Sequence, residues 1–465
     1  DVCVVNHHLF FADQQLQDEG VAPLLPQAGV VIVDEAHQLN DTGVQFAGTT
    51  LSTRQLLGFA RDAMAVTTEH ARGLHPWLDA LVALEQTVQH WSATAATVPL
   101  GVRQSWLSAS PQGVDAAQWT AQLHRVGRSL RLVWQALGSV QEAAPALAQL
   151  QARAGQLLHT LALFAHPAPA DSVRWLDRQA RHLVLTQAPL TVAPLLQAIV
   201  QAGSTPQAWV FTSATLGDSD DLQWFTRTCG LPEACTLRVA SPFDYATQAS
   251  LYVPPDAPPV QAQAAHSAFV ARLAQVGAQQ LGGRTLVLTT TLKALQAIGN
   301  HLQQQFGQAG GLFTAIDVLV QGQGSKHALL ERFRQGTVQG RGCVLVASAT
   351  FWEGVDIAGD ALQLLIIDKL PFAPPDDPLV QARTHQLEGL GLNAFNDYLL
   401  PEAAMALKQG VGRLIRSETD QGMVVIADTR LLEKAYGPRL LAALPPMRLL
   451  TSHEAWQERL QQLQA

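Results

Sequence analysis

Two carboxylates stand side by side in Val30-Val31-Ile32-Val33-Asp34-Glu35-Ala36-His37, directly after four β-branched residues. A hydrophobic strand of this kind delivers both acids to its C-terminal edge. There the first can hold a Mg²⁺ ion that bridges nucleotide phosphates, and the second can position or deprotonate an attacking water. Read alone, the same residues also describe an acidic loop that opens a helix, with His37 a solvated loop residue.

Four further stretches carry chemistry of a matching kind. Phe211-Thr212-Ser213-Ala214-Thr215 is a strand followed by small hydroxyl residues, able to hydrogen-bond an acidic motif or to form an ordinary turn. Gln409-Gly410-Val411-Gly412-Arg413-Leu414-Ile415-Arg416 spaces two arginines one helical turn apart, with Gly410 and Gly412 allowing close backbone approach. A planar, permanently charged guanidinium suits a γ-phosphate in its transition state, and equally suits a surface ion pair. Ser348-Ala349-Thr350-Phe351-Trp352-Glu353-Gly354-Val355-Asp356 reads as a polar loop after a strand, fit to touch a sugar–phosphate backbone and a ribose. Trp352 in it either stacks a base or is buried. Thr289-Thr290-Thr291 offers hydroxyls and amides to phosphates, or caps the next helix. His7 and His8 lie at a strand end, near enough in the chain to approach the acidic pair.

These segments need a scaffold, and the composition describes one. The chain has 465 residues, 48% hydrophobic and 15% charged, which predicts a well-packed protein of more than one domain. Its net charge of −8 excludes a global positive field, so nucleic acid must be met by local basic grooves. The absence of a long apolar run predicts no membrane span, and only four cysteines (Cys3, Cys229, Cys235, Cys343) predict a reducing, cytoplasmic setting. They lack metal-ligand spacing.

Strand and helix alternate at the start: Val2–Val5, a helix near Leu9–Gln17, then Val30–Val33. From about residue 50 to 165 the period becomes helical. Leu123, Val126, Leu130, Val133, Leu137 and Val140 form one stripe. Leu147, Leu150, Ala154, Leu157, Leu161 and Phe164 form a second, and the two helices break near Pro145. Residues 173–185 predict a return strand or hairpin. Strand–helix alternation resumes at Trp209–Thr212, and Pro254, Pro255, Pro258 and Pro259 predict a linker. Beyond it, strands are expected at Thr285–Thr289, Val318–Val320, Val344–Ala347, Leu364–Asp368 and Met423–Ala427. The fold class is α/β.

In this order the motifs resemble motifs II, III, V and VI of superfamily 2 helicases. Val5-Asn6-His7-His8-Leu9, Ser241-Pro242-Phe243-Asp244-Tyr245, Asp368-Lys369-Leu370-Pro371-Phe372, Leu407-Lys408-Gln409 and Asp428-Thr429-Arg430 resemble the DinG/YoaA branch, bacterial relatives of XPD. The resemblance covers nearly the whole chain. It implies two RecA-like motor domains, residues 1–45 with 206–245 and residues 246–465, and a helical Arch-like insertion at 46–205. It implies an ATP- and Mg²⁺-dependent DNA helicase, moving 5′ to 3′ on single-stranded DNA and duplex junctions in repair or damage tolerance, as a monomer. By the same resemblance Asp34 holds Mg²⁺, Glu35 acts on the water and His37 couples to Ser213 and Thr215. Arg413 and Arg416 reach the γ-phosphate with Gln409, while Gly354, Asp356 and Gly412 line the nucleotide. Thr289, Thr290 and Thr350 face the nucleic acid, as do Ser213 and Thr215.

Two family features have no counterpart in these residues. No Gly-x-x-x-x-Gly-Lys-Ser/Thr phosphate loop occurs, and no cysteines are spaced for the family's [4Fe–4S] cluster. Asp1 in place of Met, together with the strand expected at Val2–Val5, predicts a chain cut inside a domain, which accounts for both and leaves these residues alone without ATP turnover. A non-catalytic motor-derived scaffold and a DEAH-type RNA helicase are the competing readings. The acids and arginines oppose the first, and the long insertion opposes the second.

Overall fold

A computed structural model describes residues 2–18, 22–201, 207–217, 221–307, 316–348, 351 and 361–464. The chain divides into two compact units. Unit 1 comprises Asp1–Ser213, Phe225–Ala234 and Pro374–Ala394, and unit 2 comprises Ala214–Trp224, Cys235–Ala373 and Phe395–Ala465.

Unit 1 begins with helix α1 (His7–Asp18), strand β1 (Val30–Val33) and helix α2 (Leu39–Phe46). The strand expected at Val2–Val5 is not formed: residues 2–6 have no regular structure and Val2 and Val4 are about nine-tenths exposed. Apolar β-branched residues favour a strand only where a neighbour pairs the backbone, and among the described residues Val2–Val5 have none.

The insertion is a four-stranded antiparallel sheet with four long helices. Strands β2 (Thr49–Ser52), β3 (Arg103–Ser105), β4 (Ser172–Arg178) and β5 (Leu183–Pro189) take the order β2-β5-β4-β3. The helices are α3 (Thr53–His70), α4 (Trp77–Thr94), α5 (Ala116–Gly138) and α6 (Pro145–Ala165). Helix α3 starts on a capping box, with Gln55 N donating to Ser52 Oγ and Ser52 N to Gln55 Oε1. Pro145 opens α6 because its missing N–H costs nothing in a first turn. The stripe Leu123, Val126, Leu130, Val133 and Leu137 is buried, and so are Leu147, Leu150, Ala154, Leu161 and Phe164. Trp91, Trp119, Trp106 and Phe164 continue the core as an aromatic chain with ring centroids 5.3 to 5.9 Å apart.

Arg174 of β4 lies in this core, 4% exposed and above the rings of Trp106 and Phe164. Its guanidinium donates to Gln187 Oε1 and to the carbonyls of Leu163 and His166, the open C-terminal end of α6. One cation thus satisfies orphan helix carbonyls and ties helix to sheet. After β5, helix α7 (Ala193–Gln201) leads to β6 (Ala208–Phe211), which pairs in parallel with β1.

Unit 2 is built on one parallel sheet of seven strands: β7 (Ala249–Tyr252), β8 (Thr285–Thr289), β9 (Ile316–Val320), β10 (Gly342–Ser348), β11 (Leu364–Ile367), β12 (Gly422–Ile426) and β13 (Arg448–Leu450). Their order is β13-β7-β12-β11-β8-β10-β9. The central strands are mostly apolar because both faces are covered. Leu365, Ile367, Val424 and Ile426 pack with helix Leu400–Val411 on one face. Leu364, Ile366, Met423 and Val425 pack on the other with helices Gln263–Leu281, Leu292–Gly307 and His453–Gln464. The proline run expected to be a linker lies inside this unit. It joins β7 to helix Gln263–Leu281, and His266 holds it with Nδ1 2.9 Å from Pro258 O and Nε2 2.8 Å from Asp368 O. The strand before the prolines belongs to the same sheet as those after, so no domain boundary falls there.

Asp368, just past β11, is 1% exposed and accepts from the N–H groups of Thr290 and Lys369. Burial outweighs those bonds and the charges of Lys369 and His266, and pushes its carboxyl up to about 6. A raised folded-state value means that stability is fully present below the ordinary value of 3.8 and is lost as pH rises through about 6.

Two outcomes follow from these buried charges. Arg174→Met leaves three acceptors without their donor and lowers the stability of unit 1 by about 2–4 kcal/mol in urea unfolding. Asp368→Asn flattens the pH dependence of unit 2 unfolding between about pH 4 and 6, read from thermal melts across that range.

Candidate active site

The parallel pairing of β1 with β6 sets Val33 opposite Phe211, so the residues following each strand meet at one edge. Backbone bonds continue past the strands: Thr212 N donates to Val33 O (2.8 Å) and Ala36 N to Thr212 O (2.9 Å). Between them Glu35 adopts a left-handed backbone, φ 48° and ψ 42°, which costs a non-glycine residue about 1–2 kcal/mol. The Ala36–Thr212 bond and a bond from Gln38 N to Glu35 O hold that turn.

The side chains form a connected set. Thr212 Oγ1 donates to Asp34 Oδ1 at 2.9 Å, and Ser213 Oγ donates to Glu35 Oε2 at 3.3 Å. His37 Nδ1 lies 2.8 Å from Ser213 Oγ and 3.3 Å from Glu35 Oε2. With the proton on Nδ1, the imidazole donates to both and the Ser213 hydroxyl passes its own proton toward Glu35. Asp34 is exposed and His37 half-buried. His7 Nε2, at the start of α1, sits 2.9 Å from Asp34 O and braces the turn from behind, whereas His8 packs edge-on against Phe46. The acidic pair and the small hydroxyls after β6 are thus hydrogen-bonded to one another. Thr212, to which the sequence reading gave no role, is the residue bonded to Asp34.

In unit 2, helix Leu400–Val411 carries Gln409, whose Nε2 donates to Thr215 Oγ1 at 2.9 Å. The helix ends at Val411, with Gly412 as its cap, so Arg413 and Arg416 do not share a helical face as expected. Both are half-buried and lie in the turn that follows. Gly410 shows no crowding, since a Cβ there would be 3.6 Å from Leu288 Cδ1, an ordinary contact.

Asp420 organises the turn. Its buried carboxylate accepts from Arg416 N (2.8 Å), Ser417 N (2.9 Å) and Ser417 Oγ (2.6 Å). Gln248, also buried, donates Nε2 to the carbonyls of Ser417 and Asp420. The charge of Arg416 also reaches the Tyr245 hydroxyl, whose pKa burial pushes up against the opposing effects of Ser241 and Arg416. This clamp was not singled out from the sequence; the Ser-x-x-Asp spacing of Ser417 and Asp420 is the local signal that could have marked it.

The remaining candidates divide. Thr289 is 1% exposed with its hydroxyl toward Ala347 O, and Thr215 is equally buried, so both sit beneath the surface. Thr290 is half-buried at the strand end, and Thr291 caps the next helix by accepting from Ala294 N. Thr350, Trp352, Gly354 and Asp356 lie outside the described residues. Asp428, after β12, is buried and held by two bonds from the Arg430 guanidinium, one from Arg430 N and one from Leu370 N. Burial raises the Asp428 carboxyl, but the Arg430 bonds outweigh it and keep the group below the usual range.

Comparison with known proteins agrees with this architecture. A family model for the helicase C-terminal domain matches residues 276–447. The ATP-dependent DNA helicase YoaA of Escherichia coli (strain K12) is 36% identical over 446 residues, covering 96% of this chain and 67% of that protein. The ATP-dependent DNA helicase DinG of Photobacterium profundum is 28% identical, covering 96% and 68%. The chain thus spans about two thirds of the length of the curated relatives it matches. Among solved structures, that of S. tokodaii Xpd4 matches with a TM-score of 0.56 at 16% identity, over 96% of this chain and 81% of that one. That match speaks for the fold, and the identity to YoaA speaks for the family. The chain belongs to the DinG/YoaA family of XPD-like ATP-dependent DNA helicases.

Proposed function

We propose that these residues supply the hydrolytic and coupling side of a motor that unwinds DNA 5′ to 3′ in repair or damage tolerance, as a cytoplasmic monomer acting on single strands and duplex junctions. The observation that carries the reading is the bonded set Asp34, Glu35, His37, Thr212 and Ser213 at one strand edge. Two adjacent acids there have distinct environments: Asp34 faces solvent, while Glu35 shares its Oε2 with a hydroxyl and an imidazole.

Magnesium is commonly bound by one or two carboxylates, with water and phosphate oxygens filling its other positions. Asp34, exposed and oriented by Thr212, fits that habit, and no cluster of three or more metal-ligating side chains occurs among the described residues. When bound, the ion would neutralise charge on the phosphates. Glu35 orients the attacking water and takes its proton, and His37 with Ser213 holds the carboxylate in place. Arg413 and Arg416 neutralise the γ-phosphate, and Gln409, on the helix that precedes them, bonds to Thr215. Gly354, Asp356 and Gly412 line the nucleotide, and Thr290 and Thr350 meet the DNA backbone. Thr289, Thr215 and Ser213 support these contacts from within.

The cysteines do not fit a [4Fe–4S] cluster. Burial pushes Cys229 up to about 12 and Cys343 to about 11, thiols that hold their protons, while Cys3 and Cys235 are exposed. The phosphate loop is likewise absent from the sequence. Val30, Ile32 and Val210 of the β1/β6 pair are 43–67% exposed.

The 465 residues by themselves are expected to show no DNA-stimulated ATP hydrolysis. In protein that includes the loop, Glu35→Gln lowers hydrolysis by roughly a hundredfold or more. Unwinding that survives Asp34→Ala would sink the assignment. Asp420→Ala, which frees the Arg416 turn, lowers hydrolysis about tenfold and stability by about 1–3 kcal/mol while DNA affinity without nucleotide is unchanged. Single-turnover assays paired with melting curves check the last outcome.

A further inference from the structure

We propose that a cleft in the helical insertion, walled by Arg54, Arg61 and Arg181, is a phosphate-binding site, and that the backbone of a DNA strand supplies the phosphates. The source of the phosphate rests on the motor reading above; the site itself does not.

The cleft measures about 740 Å³ and has three walls. Arg54, Leu57 and Arg61 follow the three–four spacing that puts them on one face of α3. Glu85 and Gln89 do the same on α4. The third wall is the turn between β4 and β5, Gln179-Ala180-Arg181-His182, closed by a bond from Gln179 N to His182 O. Three guanidinium groups therefore face one carboxylate.

Their lack of pairing points to an external anion. Elsewhere in unit 1 exposed arginines meet acids, Arg153 with Asp62 at 2.6 Å and Arg103 with Asp377 at 3.4 Å. Arg54, Arg61 and Arg181 make no ion pair among the described residues, although the chain carries eight more acids than bases. Like charges gathered in a concave site repel unless an anion sits among them. Guanidinium matches phosphate oxygens through paired N–H donors, and the Gln89 and Gln179 amides add further donors. None of these residues belongs to a motor motif.

The test uses the full chain and a variant carrying Arg54→Gln, Arg61→Gln and Arg181→Gln, exposed positions whose change leaves the core intact. Anisotropy of a labelled dT oligonucleotide is followed across a salt series. Each single-strand phosphate contact contributes about 0.7 to the slope of log affinity against log salt, so losing three lowers it by about 2. The matching Arg→Lys variant keeps most of the slope. An unchanged slope in the glutamine variant overturns the inference while leaving the motor reading intact. Absence of oligonucleotide binding by the unaltered chain defeats that reading and the DNA source together. In that event, melting with and without tripolyphosphate decides the site. Stabilisation that the glutamine variant loses keeps the phosphate site and assigns it to a free polyphosphate, and no stabilisation removes it.

Discussion

Four residue pairs, Val30 with Ala208 through Val33 with Phe211, bring the chemistry of unit 1 together. Glu35 and Ser213 are 178 positions apart in the chain yet share a hydrogen bond because the strands before them run in parallel and in register. Register is the sensitive quantity. A slip of one residue would turn each side chain of β6 to the opposite face and carry Thr212 away from Asp34. The left-handed turn at Glu35 depends on the same alignment, since Ala36 N reaches Thr212 O only when the strands end level. The strain there is modest beside the bonds that hold it, and it keeps the two adjacent acids in different surroundings.

Elsewhere the structure places charge inside and satisfies it locally. Arg174 binds helix carbonyls and an amide, Asp428 takes the Arg430 guanidinium in two bonds and its backbone N–H in a third, and Asp420 collects two backbone donors and a hydroxyl. Each fixes a segment without regular hydrogen bonding of its own. Removing one partner of such a set costs more than the set contributes, because the remaining groups stay buried.

The sequence was informative where a pattern is long or a motif dense. The helices α5 and α6 followed from two stripes of buried aliphatic residues, and the central strands of unit 2 from continuous runs such as Leu364–Ile367. Short strands such as β3 and β13, three residues each, leave too little alternation to read. Val2–Val5 has strand-like residues but no pairing neighbour among the described residues, and propensity cannot supply one. In the site, the acids and Ser213 were legible from residue type. The end of the helix at Val411 was not read despite Gly412, since the arginine spacing suggested a continuing helix and the turn owes its shape to Asp420 and Gln248. Gln248 is distant in sequence, so its role is a tertiary fact.

The pairing of β2 with β5 bears on how the chain folds. Ser52 lies opposite Val184 and Thr49 opposite Gln187, so the insertion's two ends emerge side by side. Closing a flexible loop of this length costs entropy that grows with the logarithm of its residues, and parallel pairing must bear that cost before gaining contacts. An insertion that forms first shortens the effective loop between β1 and β6 to the two segments 34–48 and 190–207. Its helices, local in sequence and quick to assemble, thereby lower the entropy cost of bringing the acids and hydroxyls of the candidate site together.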